Sequence, residues 1–182
     1  MATLQANELR KGRLVEIDGR ICVVVHWNLW KSDRRSRVQM RFKDVLTGRM
    51  SEVTAQPDDR YSSPENETVD LEYSYRDGPD EVFYTPDGVE WRCPVAGVED
   101  ALRWNADSYK GVVVDGKLLT ISPPISVIVT VAETSPPVKG VSAGLKDATL
   151  DNGIQLKVGM MVDVGDRVRV DTETLEYRER VS

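Results

Sequence analysis

The sequence predicts an all-β protein made of three small β-barrel domains in series, an SH3-like barrel followed by two OB-folds. Three observations carry that reading. Short β-branched or alternating runs recur along the 182 residues, as strands do in small barrels. Between the runs stand Asp18-Gly19, Asp77-Gly78, Asp87-Gly88, Asp115-Gly116 and Asn152-Gly153, pairs that suit the left-handed backbone of tight hairpin turns. Only one stretch of note, residues 95–106 (VAGVEDALRWNA), places apolar residues on a helical face, through Val98, Ala101 and Leu102.

Residues 6–12 (ANELRKG) read as a turn ending at Gly12, after which residues 14–17 (LVEI) form a first strand. Asp18-Gly19 returns the chain into residues 20–25, a third strand runs through residues 37–44, and residues 49–55 (RMSEVTA) alternate as a fourth beyond Thr47-Gly48. Short strands joined by tight turns over so few residues describe an SH3-like barrel. Residues 56–68 (QPDDRYSSPENET) are polar and carry two prolines, which reads as a linker and sets the first domain at 1–64. Strands resume at residues 69–75 and 81–84, Asp87-Gly88 turns the chain again into a further strand before the helix, and residues 112–114 and 118–121 form a hairpin after it. A helix within a five-stranded antiparallel set is the OB pattern, giving a central domain at 65–124. Pro123-Pro124 cannot sit in a central strand, so a second OB-type domain begins at 125 and runs to 182. Its strands are expected at residues 126–131, 154–158, 160–164, 167–171 and 177–181, with a small-residue loop at 138–144.

Composition narrows the function. The chain is 40% hydrophobic and 30% charged, and no apolar run approaches the ~18 residues that cross a bilayer. Its first residues are polar and resemble no signal peptide, so a cytoplasmic, membrane-free protein is expected. Cys22, Cys93 and the lone His26 are too few for a disulfide framework, a zinc site or His-based catalysis. The two thiols are expected buried and free, and no metal or cofactor is expected. Asp58-Asp59 and Glu99-Asp100 are adjacent in sequence, and adjacent side chains point apart, unlike the facing carboxylates of a glycosidase. No catalytic residue is nominated, and the protein is read as non-enzymatic.

The net charge of −6 conceals an asymmetry: residues 1–50 carry eleven Lys/Arg against five Asp/Glu, and the remainder thirteen against twenty-five. A basic first domain on an acidic body suits a protein that offers one face to RNA phosphates. The stretch assigned to that task is residues 27–41 (WNLWKSDRRSRVQMR). At its centre Lys31, Ser32, Asp33, Arg34, Arg35 and Ser36 connect two strand-like runs with three cations, one anion and neither Gly nor Pro. Ordinary turn chemistry does not explain that makeup. Trp27 and Trp30 flank the connection, either as half-buried braces of a hairpin or as platforms on which nucleotides stack.

Several ordered motifs then resemble the bacterial translation elongation factor P family across essentially the whole chain. They are residues 6–12 (ANELRKG), residues 45–48 (VLTG), residues 73–78 (YSYRDG), Ala148-Thr149-Leu150 with Gly153, and residues 164–172 (VGDRVRVDT) followed by residues 176–181 (EYRERV). Residues 40–45 (MRFKDV) and 139–143 (KGVSA) look closer to the paralogous elongation factor P-like branch. The resemblance implies a KOW-like first barrel, an L-shaped, tRNA-like outline and a monomer. It also implies binding to both ribosomal subunits between the peptidyl and exit sites, where the factor helps ribosomes stalled on sequences such as proline runs by positioning peptidyl-tRNA. The generic rival is an RNA-binding string of barrels without that role.

By the same resemblance the tip from Lys31 to Ser36 faces peptidyl-tRNA. Many relatives carry a modified lysine there in a Lys-Pro-Gly-Lys-Gly-like context; here Arg34 stands at that position, after Ser32 and Asp33. Arg34, with Arg35 as its alternate, is therefore the expected tip cation and modification site, bare or served by an arginine-modifying enzyme, and Lys31 is the only lysine available instead. Lys139, Gly140, Ser142, Ala143 and Gly144 resemble the loop near the exit-site mRNA codon, with Val141 where the family usually has Asp, and the same residues also read as a plain flexible loop. Tyr177 and Arg180 match positions near the small subunit and read equally as part of a closing strand.

Overall fold

The computed structural model describes residues 1–141 and 143–182. The chain forms three antiparallel sheets in two compact units, Met1–Ala101 with Asp107–Ser122 and Leu102–Ala106 with Pro123–Ser182.

The first sheet contains β1 (Ala2–Gln5), β2 (Leu14–Ile17), β3 (Arg20–Lys31), β4 (Ser36–Asp44), β5 (Met50–Ala55) and β6 (Arg60–Ser63), in the order β1-β6-β2-β3-β4-β5. Alternation in β4 sends Val38, Met40 and Phe42 inward, where they pack with Val15 and Val24. Two strands depart from expectation. Residues 60–63, read as linker, pair with β1 from Ala2↔Ser63 to Gln5↔Arg60. The short polar segment RYSS shows no apolar alternation; its place is set by distant partners, the Ser63 hydroxyl donating to Leu14 O at 2.8 Å and the Tyr61 ring lying 5.9 Å from Phe42.

The second sheet contains β7 (Glu67–Asp77), β8 (Asp80–Tyr84), β9 (Glu90–Pro94), β10 (Tyr109–Val114) and β11 (Lys117–Ser122), with α1 (Val95–Leu102) between β9 and β10. The sheet order is β11-β10-β7-β8-β9, and β9 lies against β11. Counted along the chain, the ring runs first-second-third-fifth-fourth and back to first, which is OB connectivity. The helix ends at Leu102, short of the expected 106, and Asn105 adopts a left-handed φ of 46°. It lies close on the sheet: a Cβ on Gly97 would stand 2.3 Å from the Leu119 carbonyl oxygen, and Thr120 Oγ1 donates to Gly97 O at 2.8 Å.

These two sheets share apolar contacts inside the first unit, where Leu14, Val23 and Val45 pack with Val114 and Leu119. Beside that seam the buried Lys43 donates to Glu99 Oε1 at 2.9 Å and Asp100 Oδ2 at 3.2 Å. Burial alone would lower the Lys43 pKa, but hydrogen bonds and charge from the two carboxylates outweigh it and raise the value. Cys22 and Cys93 are buried free thiols, and burial pushes the Cys93 thiol up to about 12.

The third sheet contains β12 (Ser126–Thr134), β13 (Leu145–Leu150), β14 (Gln155–Gly159), β15 (Arg167–Asp171) and β16 (Tyr177–Val181). Its order, β14-β13-β12-β15-β16, with β14 against β16, repeats the OB ring. The strand expected at residues 160–164 is a turn, with Val162 N–H donating to Gly159 O at 3.1 Å. Val162 is apolar because it plugs the barrel core, which explains the false strand signal. The missing strand is β13, and Trp104, expected at a helix end, is buried with Val127, Leu150 and Val168. Among the described residues no helix is long and apolar enough to cross a membrane, and no group of three or more His, Cys, Asp or Glu side chains could hold a metal ion.

Candidate nucleic-acid interface

The hairpin of β3 and β4 carries the expected tip. Its strands pair in register from His26↔Arg41 through Leu29↔Val38 and Trp30↔Arg37 to Lys31↔Ser36. Pairing of β4 with β5 ends at Val38↔Ala55, so the last two pairs and the loop have no third strand beside them. A register shift between Val24 and His26, opposite Phe42 and Arg41, bulges β3 inside the barrel, and bulges bend and twist a strand.

The strands extend further toward the tip than the sequence suggests, leaving only residues 32–35 as loop. Ser32 closes it. Its N–H donates to Arg35 O at 3.2 Å, its hydroxyl donates to the same oxygen at 2.7 Å, and it accepts from Arg35 N–H at 3.2 Å. No residue from Lys31 to Ser36 has a positive φ, so the loop closes without the glycine that left-handed turns require. This is the turn chemistry the sequence left unexplained: one serine side chain does the work of a Gly-containing turn.

Lys31, Ser32, Asp33, Arg34 and Arg35 are all exposed, and Ser36 is half-buried. Among the described residues, Lys31, Arg34, Arg35 and Arg37 have no ion-pair partner. Their charges are therefore available to an external anion. The two tryptophans differ. Trp27 is half-buried against the first core, its indole N–H donates to Ala6 O at 2.9 Å, and the Arg10 guanidinium stands 4.1 Å from its ring centre. Trp27 is thus a brace, whereas Trp30 is 62% exposed.

Within the second unit, Lys139, Gly140, Ala143 and Gly144 are exposed between β12 and β13, and Ser142 lies outside the described residues. Gly140 and Gly144 have φ values of 81° and 105°. Tyr177 is half-buried against the third core, its ring 3.3 Å from the point where a Cβ on Gly159 would stand. Arg180 Nη1 lies 3.5 Å from Asp166 Oδ2. Asp171 accepts from Glu173 and Thr174 N–H and from Arg178 Nη2, each at 2.9 Å. The Thr174 bond, Arg178 and the Glu173 bond hold its carboxyl down at about 2.

The elongation factor P KOW-like domain matches residues 5–61, and the elongation factor P C-terminal domain matches residues 127–180. Elongation factor P of Aromatoleum aromaticum is 34% identical over 181 residues, covering 97% of this chain and 98% of that protein. The chain belongs to the elongation factor P family. Elongation factor P of Finegoldia magna is 31% identical over 98% of this chain and 100% of that protein, and that of Thermoanaerobacter sp. is 32% identical over the same shares. Family membership makes the chain a translation elongation factor, working with the ribosome. Glu99 and Asp100 are explained by burial of Lys43. Arg37, opposite Trp30, escaped nomination because cross-strand register is invisible until the hairpin is built.

Proposed function

We propose that the factor binds between the peptidyl and exit sites of the ribosome and promotes peptide-bond formation on stalled ribosomes, as at proline runs, by positioning peptidyl-tRNA. The observation that carries this reading is the hairpin end that projects beyond β5 with Lys31, Arg34 and Arg35 exposed and free of ion pairs among the described residues. Guanidinium groups offer planar forks of donors to phosphate, and holding a tRNA end in place removes the entropic part of a barrier whose chemistry the ribosome supplies. No bond is made or broken by the factor itself.

In this reading residues 1–64, 65–124 and 125–182 act as three modules of a monomer in the cytoplasm, placed with the elongation factor P-like branch. Arg34 leads the tip and is the modification site if an arginine-modifying enzyme acts. Lys139, Gly140, Ser142, Ala143 and Gly144 face the exit-site mRNA codon, and Tyr177 and Arg180 face the small subunit. An added mass on the peptide holding Arg34, in protein from its native host, identifies such an enzyme as a partner; the unmodified mass shows that the guanidinium works bare. The deciding experiment is reconstituted translation of a message with a proline run. Adding the factor is expected to accelerate peptide-bond formation there about tenfold or more, one charge-assisted contact being worth about 1.5–3 kcal/mol. An unchanged rate overturns the reading.

A further inference from the structure

We propose that Trp30 is a stacking platform for one unpaired RNA base, and that the face of the β3–β4 hairpin on which it lies tracks the adjoining single strand. The proposal rests on the RNA-facing role given to the tip and adds the residue and ligand class. His26, Asn28 and Trp30 are alternate residues of β3 and share one face. Their cross-strand partners are Arg41, Gln39 and Arg37, which lie on that same face. Exposure follows the alternation: 26, 28 and 30 are exposed, whereas 27 and 29 are half-buried toward the core.

From the tip downward the face therefore reads indole with guanidinium, then two amides, then imidazole with a second guanidinium. The last pair lines a small cavity of about 150 Å³ with Glu52 and Thr54, where Arg41 is held by Glu52 at 2.6 Å. Arg37, half-buried opposite Trp30, has no ion-pair partner among the described residues. Among the described residues the only cation over an aromatic ring is Arg10 on Trp27, so the Trp30 ring is uncapped.

An apolar protein partner does not suit this face, because a single indole among polar and charged neighbours makes no hydrophobic core for an interface. Alternating π-surface, cation and amide suits nucleic acid: the ring takes a base, the guanidinium a phosphate, and Asn28 and Gln39 offer donors and acceptors to base edges. The base must already be unstacked, which selects single-stranded RNA over a duplex.

Intrinsic tryptophan fluorescence of the full chain, titrated with a six-nucleotide single-stranded RNA at low salt, tests this. Quenching is expected in the wild-type protein. Trp30→Phe should keep the affinity within about twofold while losing most of the quench, and Trp30→Ala should weaken binding about 5- to 100-fold with an unchanged salt dependence. Arg37→Ala should flatten the salt dependence. Wild-type affinity in Trp30→Ala, a quench that survives Trp30→Phe, undetectable binding by the wild-type protein, or equal affinity for an RNA duplex each overturns the proposal. Failure of the functional reading shows elsewhere, as wild-type protein that binds this RNA through Trp30 yet leaves translation of a proline run unaccelerated.

Discussion

At the base of the β3–β4 hairpin stands Lys43, 6% exposed and bound to two carboxylates; at its tip stand Arg34 and Arg35, exposed and without ion pairs among the described residues. The same kind of side chain does opposite work at the two ends. Lys43 loses its water and is tolerated because Glu99 and Asp100 replace it, so its charge belongs to the fold. The tip guanidiniums keep their water and make no ion pair, so their charge contributes nothing to the fold and is free for a ligand. Trp27 and Trp30 repeat the contrast: the first is bonded, capped and packed, the second is open.

The largest effect on the fold is expected at the base. Glu99→Gln with Asp100→Asn leaves the Lys43 ammonium buried without a counter-charge and should cost about 2 kcal/mol in urea unfolding, below the range for fully buried pairs because both carboxylates are more than half exposed. Lys43→Met in that background should recover most of the loss. If the double variant unfolds like wild type, the base cation is not structural and the contrast fails.

A smaller effect is expected in acid. The Asp171 carboxyl sits at about 2 when folded and at about 4 when unfolded. A folded pKa below the unfolded one gives stability that is fully present above about 4 and drains away as pH falls toward about 2. Asp171→Asn should flatten that part of the stability profile for the third sheet. An unaltered acid limb would show that the Thr174 and Arg178 contacts do not hold the charge.

The fold was legible wherever local chemistry decides it. Asp18-Gly19 and Asp115-Gly116 both carry the two positive φ angles, 51° and 74°, of a tight hairpin, and most OB strands alternate or run apolar, whereas β9 is marked only by the turn before it and β13 went unread. What escaped was decided at a distance. β1 and β6 exist because they pair with each other, and Val162 looked like part of a strand because a turn residue can be buried as deeply as a strand residue. The tip was legible as charge and connection, since Lys31 to Ser36 break two strand-like runs. Its closure by Ser32 was not, because a hydroxyl bridging two residues of a turn has no periodic signature. Trp27 and Trp30 could not be told apart by type; the alternation of faces along β3 separates them.

The most direct test of the contrast is the Arg34→Ala/Arg35→Ala double variant, measured for thermal unfolding and for the rate of peptide-bond formation at a proline run. Exposed side chains without partners should change stability by no more than about 0.5 kcal/mol, while the rate gain conferred by the factor should fall about ten- to a hundredfold as charge-assisted contacts are lost. A destabilised protein, or a stable one that still accelerates the reaction fully, would contradict the assignment of the tip cations to the ligand and not the fold.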